Sequence, residues 1–461
     1  MIAPAPRSLW IDTLPDGDLQ KVRPALEGPT EVDVAIVGGG YTGLWTAYYL
    51  ARRDPSLRIV VLERDFAGFG ASGRNGGWLS NLLPLSWETI AAASSREDAV
   101  AWQRCANATV DDVLAVARDE GIDARAAKGG YLCVATSEVQ AARLRAEVER
   151  ARGRGFGDDD LVWLARDEAR GRIAADRVFG GTWTPHCAAV HPARLVRGLA
   201  EAVERHGATI HEGTPVTEIG PHLARTPAGD VRAKVVVRAL EGYTRTLKGA
   251  RRDLLPLYSS MLATEPLPDD FWAEVGWSGR ETLGDDRRLI IYAQRTADGR
   301  IAIGGRGAPY RLGSRIDPAH ELARGIHERI RHSLVELFPQ LVDARITHRW
   351  GGVLGVPRDW WPSVHHDPAS GLARAGGYAG DGVALTNLAG RTLADLITGQ
   401  DTELTRLPWV GHRSRPFEPE PLRWLGVNGG LHLAAAVDAR EHRTGRPAGL
   451  LDRAMTRLTG H

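Results

Sequence analysis

The sequence predicts an α/β protein, in which a doubly wound parallel-sheet domain carries a second α+β domain built on a mixed or antiparallel sheet. Three stretches predict it. In Glu31 to Gly43, EVDVAIVGGGYTG, a short β-branched run meets Gly38-x-Gly40-x-x-Gly43 and then a helical period, LWTAYYLARR. Around Ala297-Asp298-Gly299 the flanks LIIYAQRT and RIAIGGRG read as a hairpin. From Gly376 to Val383 a second glycine-rich run opens a helix, Ala384 to Ile397.

The first stretch carries the most chemistry. Val32, Val34, Ile36 and Val37 are too few for a helix core and read as a strand buried on both faces. Gly38 then allows a tight turn, Gly40 lets backbone approach a pyrophosphate, and Gly43 lets helix and strand pack closely. The helix opening at Tyr41 and Thr42 turns unpaired N–H groups and a partial positive charge towards the phosphates. The second strand, Arg58 to Leu62, ends in Glu63-Arg64, and an acid about twenty residues beyond the last glycine is placed to accept from a ribose hydroxyl. This is a Rossmann-type dinucleotide cradle. The acid disfavours a 2′-phosphate, hence NADP; NAD and FAD both remain.

Composition bounds the rest. A chain of 461 residues can bury two substantial cores. With 58 Lys and Arg against 57 Asp and Glu, the formal charge of +1 offers no footprint for nucleic acid or an anionic membrane. Arg251-Arg252 and Arg287-Arg288 are short and read as solvated surface. Cys105, Cys133 and Cys187 suggest neither a disulfide framework nor a zinc site and suit a reducing cytoplasm. MIAPAPRSLWIDTLP lacks the apolar segment of a signal peptide, and no apolar run is long enough to span a bilayer. The expectation is a soluble cytoplasmic protein.

In chain order, residues 1–30 are Pro-rich and read as an arm laid on the surface. GFGASGRNGGWLSN, 68–81, is too glycine-rich for a stable helix or strand, and suits a backbone passing close to a large planar ligand. Residues 88–125 have helical spacing. Gly129 to Ala135 reads as the strand that begins the second domain, and Glu138 to Arg154 as a helix with a solvated face. Asp158-Asp159-Asp160 reads as a polar turn. A helix runs from His191 to His206, followed by strands at Ala208 to Glu212, Thr214 to Ile219, Val231 to Leu240 and Leu254 to Pro266. In the hairpin, Tyr292 and Gln294 share one face, Ala293 and Arg295 the other, and Arg306 follows two glycines on the return strand. A helix follows from Asp317 to Phe338. Arg349-Trp350-Gly351-Gly352 then leads back to the first domain. His365-His366-Asp367 reads as a surface turn, because adjacent side chains on extended chain point apart, and no metal centre is expected.

GGGYTG, Glu63-Arg64 and GASGRNGG, taken together, resemble the amine-oxidising flavoproteins of the D-amino-acid oxidase superfamily, in particular the γ-glutamylputrescine oxidase-like branch. The resemblance implies a glutathione-reductase-like FAD domain built from 31–87, 188–250 and 349–400, and a substrate domain from 88–187 and 251–348. Residues 401–461 form a C-terminal extension. It implies that Ala71, Ser72, Gly73, Arg74, Asn75, Gly76 and Gly77 pass along the pyrophosphate, ribityl chain and isoalloxazine edge, and that backbone at Val216 holds the adenine. Gly352, Gly380, Asp381, Gly382 and Val383 would face the flavin, with a helix N-terminus stabilising its reduced, anionic form. Two positions depart from the family pattern. Asp381 stands where the family more often has His, and a carboxylate there is unfavourable unless it turns away or is paired. Glu241-Gly242-Tyr243-Thr244 replaces the commoner Thr-Asn/Gly-Ala turn, which leaves Glu241 without a role.

For the reacting pocket the resemblance offers Arg74, Tyr258, Met261, Tyr292, Arg306 and Trp350. Trp350 also reads as inter-domain core and Arg306 as a surface cation; as a functional residue Arg306 would pair with a substrate carboxylate or phosphonate. FAD is expected to be noncovalent, since no Cys lies near Trp350 or in 68–81 and no His lies in that loop. The implied activity is oxidation of a C–N bond of a small amine or amino acid by hydride transfer to flavin N5, then imine hydrolysis, with O2 as acceptor. The alternatives are a dehydrogenase passing electrons to another protein and a protein with a structural flavin. The cofactor carries the chemistry, so no Ser-His-Asp or paired-carboxylate site is expected.

Overall fold

The computed structural model describes residues 7–305, 307, 310–322 and 324–449. Two large mixed sheets organise it. In the first, Thr30–Val37 lies between Gly229–Arg238 and Ile59–Leu62, and the order runs outward through Leu372–Gly376 and Ser363–Asp367 on one side and Thr209–His211 on the other. The pairings from Leu372–Gly376 across to Thr209–His211 are all parallel, and only the Ser363–Asp367 edge is antiparallel to its neighbour on this path. Thr30–Val37 is buried from Val32 onward. On one face Val34 and Ile36 meet the helices Tyr41–Arg53, Pro192–Arg205 and Gly382–Ile397; on the other, Ala35 and Val37 meet Ala224 and Val236. Burial on both faces explains why the strand reads as a continuous apolar run.

The second sheet runs in the order Ile346–Val356, Leu255–Thr264, Ile301–Gly305, Ile291–Arg295, Thr282–Asp285, Tyr131–Val134, Gly181–Thr184 and Val162–Leu164. Its pairings are antiparallel except that of Thr282–Asp285 with Tyr131–Val134. The Asp298-Gly299 turn joins the expected hairpin, with Gly299 at a φ of 74°. The α/β class with a mixed second sheet is therefore as the sequence reads.

Several segments differ from their reading: His365-His366-Asp367, read as a surface turn, lies in the edge strand Ser363–Asp367, and of Thr214 to Ile219 only the end is strand, at Glu218–Gly220. The 88–125 stretch is two helices, Trp87–Ala93 and Arg96–Asp119, because the side chain of Ser95 accepts from Asp98 N and caps a new start. The second of these packs on Gly382–Ile397, where its stripe of Trp102, Ala106, Val110 and Val113 enters the first sheet's core, not the second's. Ile346–Val356 pairs along Leu255–Thr264, so a boundary at 349 falls inside a strand of the second sheet. Trp78–Ser80, at the end of the glycine-rich loop, is a short strand paired with Cys187–Ala189.

Within the N-terminal segment, Ser8 to Ile11 are not surface but buried. Ser8 caps a single turn, Leu9–Asp12, whose Leu9, Trp10 and Ile11 are buried against Met261, Ala302 and Trp350. Proline limits the length of regular structure here, but three consecutive apolar side chains still find a core. Among the described residues, no helix is long and apolar enough to cross a membrane.

Candidate active site

A cavity of about 1110 Å³ begins at the glycine turn and extends to the start of the Gly382–Ile397 helix. Gly38, Gly40, Tyr41, Thr42, Glu63, Arg64, Ala71, Ser72, Asn75, Val216, Gly380, Gly382 and Val383 line it, so most of the residues expected to hold a dinucleotide converge on one space. Two helix N-termini, at Tyr41 and Gly382, open onto it, which suits anionic groups at both ends.

The glycines are fixed by sterics. Gly38 has a φ of 114°, and a Cβ there would stand 2.5 Å from Ala239 O. A Cβ on Gly43 would overlap Gly38 O, and one on Gly40 would stand 2.9 Å from Ser72 Oγ, which itself accepts from Tyr41 N at 2.9 Å. Glu63 Oε2 accepts from Gly39 N at 2.7 Å and Oε1 from Asp65 N at 2.9 Å. Burial raises its carboxyl above the ordinary range, and these two donors oppose the shift.

The SGRNGG loop is held from outside. Gly73 O accepts from Ser8 Oγ (3.2 Å), Arg74 O from Trp350 Nε1 (2.9 Å) and Asn75 O from Trp10 Nε1 (2.8 Å). Gly76 O and Gly77 O share Gln294 Nε2, at 2.7 and 3.1 Å. Asn75 closes the loop on itself, donating to Ala71 O and Ser72 O and accepting from Gly77 N at 2.7 Å. Five successive carbonyls are thus engaged, and beyond the 3-10 turn Ala71–Gly73 the backbone is fixed without a regular element.

Gly43, Gly73, Gly76, Gly77, Gly352 and Asp381 lie beside the cavity lining. Gly73 and Gly77 are packed so that a Cβ would overlap Gly68 O and Gln294 respectively, and a Cβ on Gly352 would stand 3.5 Å from Arg74 Cβ. Asp381 is the N-cap of the second helix, its N–H donating to Tyr378 O, and its side chain makes no capping bond.

The substrate-side candidates separate. Arg74 is buried: Nη1 meets Glu321 Oε2 at 2.8 Å and Nε donates to Phe69 O. Burial lifts Glu321 to about 7, with Arg74 pulling the other way. Trp350 is fully buried, edge-on to Trp10 at 6.1 Å. The Tyr258 hydroxyl donates to Asp317 O and accepts from Asp317 N, and burial pushes it up to about 12. Tyr292 bonds Ser259 through its hydroxyl and sets its ring where a Cβ on Gly76 would stand 2.9 Å away; Met261 is buried beside Trp350. Arg306 lies outside the described residues.

Sequence reasoning missed several contributors. Glu241, Tyr243 and Tyr378 line the cavity. Glu241 accepts from Gly377 N (2.8 Å), Tyr378 N (3.2 Å) and Gly355 N (3.3 Å), tying the turn after one strand to two others; burial lifts it to about 7 against those donors. Its signal was the departure from the usual turn. Trp10 left a signal too: a Ser-Leu-Trp sequence in a Pro-rich arm places a cap next to a large apolar side chain.

A parallel-sheet domain whose glycine turn and second helix start share one long cavity, joined to a mixed sheet, defines a two-domain dinucleotide-dependent oxidoreductase. The chain belongs to the FAD dependent oxidoreductase (DAO) family, whose pattern matches residues 33–396. It is 31% identical over 409 residues to a probable oxidoreductase OrdL of Rhizobium meliloti (strain 1021), covering 87% of this chain and 91% of the relative. It is also 31% identical over 376 residues to the gamma-glutamylputrescine oxidoreductase of Escherichia coli (strain K12), covering 80% and 84%. Among solved structures, glycine oxidase from Geobacillus kaustophilus superposes with a TM-score of 0.69 at 24% identity, covering 83% of this chain and 99% of that one. FAD fits the cavity: its floor is glycine where side chains would intrude, the Glu63 carboxylate lines it, and the pinned loop follows.

Proposed function

We propose that this enzyme oxidises the C–N bond of a small amine or amino acid, with FAD held noncovalently. The observation that carries the reading is the single cavity shared by the glycine turn, the SGRNGG loop and the Gly380–Gly382 helix start. Relatives named for γ-glutamylputrescine and glycine support the substrate class. Bound FAD supplies the hydride acceptor, and O2 is the proposed final oxidant.

The protein's own work is positioning. The Tyr41 end of the Tyr41–Arg53 helix and Ser72 would hold the phosphates, and Glu63 would accept from the ribose. The carbonyls from Gly73 to Gly77, anchored by Ser8, Trp350, Trp10 and Gln294, hold the loop in one conformation, against which the flavin would be positioned. Arg74 and Trp350 act here as positioning residues, since both are buried in support of the loop. Tyr292, against Gly76, is the aromatic best placed to border the substrate; Tyr258 braces the Asp317 backbone. Arg306 keeps its proposed role as a carboxylate partner. The residue ranges given above for a flavin and a substrate domain are part of this proposal, with Arg96–Asp119 moved to the flavin side. A reducing compartment, the cytoplasm, suits the three free cysteines.

The test is an anaerobic absorption spectrum during addition of amines and amino acids. Bleaching of the two flavin bands by one class, and their return on admitting O2, is the expected result. Bleaching that O2 reverses only sluggishly favours a dehydrogenase, and a flavin that no amine reduces refutes the redox role.

A further inference from the structure

A second cavity, of about 760 Å³, lies behind the Gly376 turn and shares no lining residue with the first. Arg238, Arg374 and Arg413 line it, with Ser363, Ser414 and Asp253. Arg238 and Arg374 stand directly opposite each other on neighbouring parallel strands, and His365 is paired with Arg374 on the next strand out. Like charges in this relation destabilise a sheet. Asp253 offsets one of them, through an ion pair with Arg238 at 2.9 Å, and is the one carboxylate among the lining residues described. Arg374 spends a donor on His412 O at 3.1 Å. Burial, and then the guanidiniums of Arg238 and Arg413, hold Arg374 below its ordinary pKa, and His365 is lowered by burial and by Arg374 and Arg413. Three guanidiniums and one carboxylate line the space, and a second carboxylate, Asp359, accepts from the lining Ser414 at 2.7 Å, so cations remain in excess around a space open to solvent.

We infer that this cavity is a binding site for a small dianion of the phosphate class, either free phosphate or the phosphoryl group of a larger metabolite. An oxyanion suits the excess of cations over carboxylates. The planar forks of Arg374 and Arg413 suit a tetrahedral oxyanion better than a lysine ammonium would, and Ser363 lines the wall beside them. The site is separate from the flavin's own phosphates, which the first cavity takes. It stands whether or not the proposed substrate class is right.

The test uses the flavin-loaded, full-length protein. Its melting temperature is followed during titration with inorganic phosphate at constant ionic strength made up with sodium chloride, and binding is measured by calorimetry. A saturable rise is expected, with affinity at least tenfold weaker in Arg374→Gln and in Arg413→Gln. Arg413 is exposed, so its variant tests the site without burdening the fold. Tighter binding of adenosine monophosphate than of phosphate would support the phosphoryl group of a metabolite, and tighter binding of phosphate the free anion. An equal rise with chloride alone, or unchanged phosphate affinity in both variants, overturns the inference.

Discussion

Replacing Trp10 by Phe tests whether the N-terminal turn holds the flavin loop. The ring that packs on Trp350 and His191 is largely kept, while the Nε1–H donated to Asn75 O at 2.8 Å is lost. A half-buried carbonyl left without its donor costs at most about 1–3 kcal/mol, the figure for a buried one. Asn75 lines the cofactor cavity, so a loop that relaxes in the flavin-free variant must be re-ordered when FAD binds. At about 1.4 kcal/mol per tenfold, the same energy weakens FAD binding roughly 5- to 150-fold. Titrating the flavin-free protein with FAD, followed by flavin fluorescence, measures it. Trp10→Ala should lose more, about 3–5 kcal/mol of stability, because a fully buried indole leaves a cavity. An FAD Kd within twofold of wild type in the Phe variant, with an unchanged melting temperature, would refute the reasoning and return residues 7–12 to a passive role.

Gly40→Val should abolish flavin retention while the chain still folds, because its Cβ starts 2.9 Å from Ser72 Oγ and its methyls reach into the cradle; a fully yellow preparation would show the cradle misassigned. Glu321→Leu strips the buried partner from Arg74 and should cost about 3–5 kcal/mol in denaturant unfolding, with less than 1 kcal/mol sinking the idea of a structural pair. His191 should make the fold acid-sensitive. Its Nδ1 accepts from Arg194 N and its Nε2 faces Thr13 Oγ1, so the ring is neutral, and burial lowers it to about 4 from 6.5. Its contribution is fully present above the unfolded pKa and is lost as pH falls from about 6.5 towards 4, amounting to about 3 kcal/mol. Melting temperatures of wild type and His191→Gln across that window should converge at low pH; parallel curves would count against it.

What the sequence made legible was local. The strand, glycine turn and helix could be read from 31–53 because each residue's reason lies within a few positions of it: β-branched burial, three steric constraints, a helical period. The Asp-Gly hairpin was legible for the same reason. What escaped depends on partners distant in the chain. Trp10 looks idle beside prolines until Asn75 and Trp350 are in place. Glu241 is an odd residue in a turn until Gly355, Gly377 and Tyr378 present their N–H groups. Arg74 was drawn towards the substrate by its motif, and only the fold brings Glu321 to it. The helix at Arg96–Asp119 was placed with the wrong sheet because an apolar stripe says that a face is buried, not against what.

The pinning of the loop also sets a timetable for the protein's synthesis. Arg74 and the Trp350 that holds its carbonyl are 276 residues apart in sequence. At about 5–20 residues per second, a ribosome needs roughly 15–55 s to travel between them. Gly76 and Gly77 wait almost as long for Gln294. For the first part of that interval the central strand Thr30–Val37 lacks its neighbour Gly229–Arg238, and until Gln294 and Trp350 emerge the SGRNGG stretch has only its local bonds and those to Ser8 and Trp10. Flavin therefore joins late, on a nearly complete chain, and truncated products should leave the ribosome colourless.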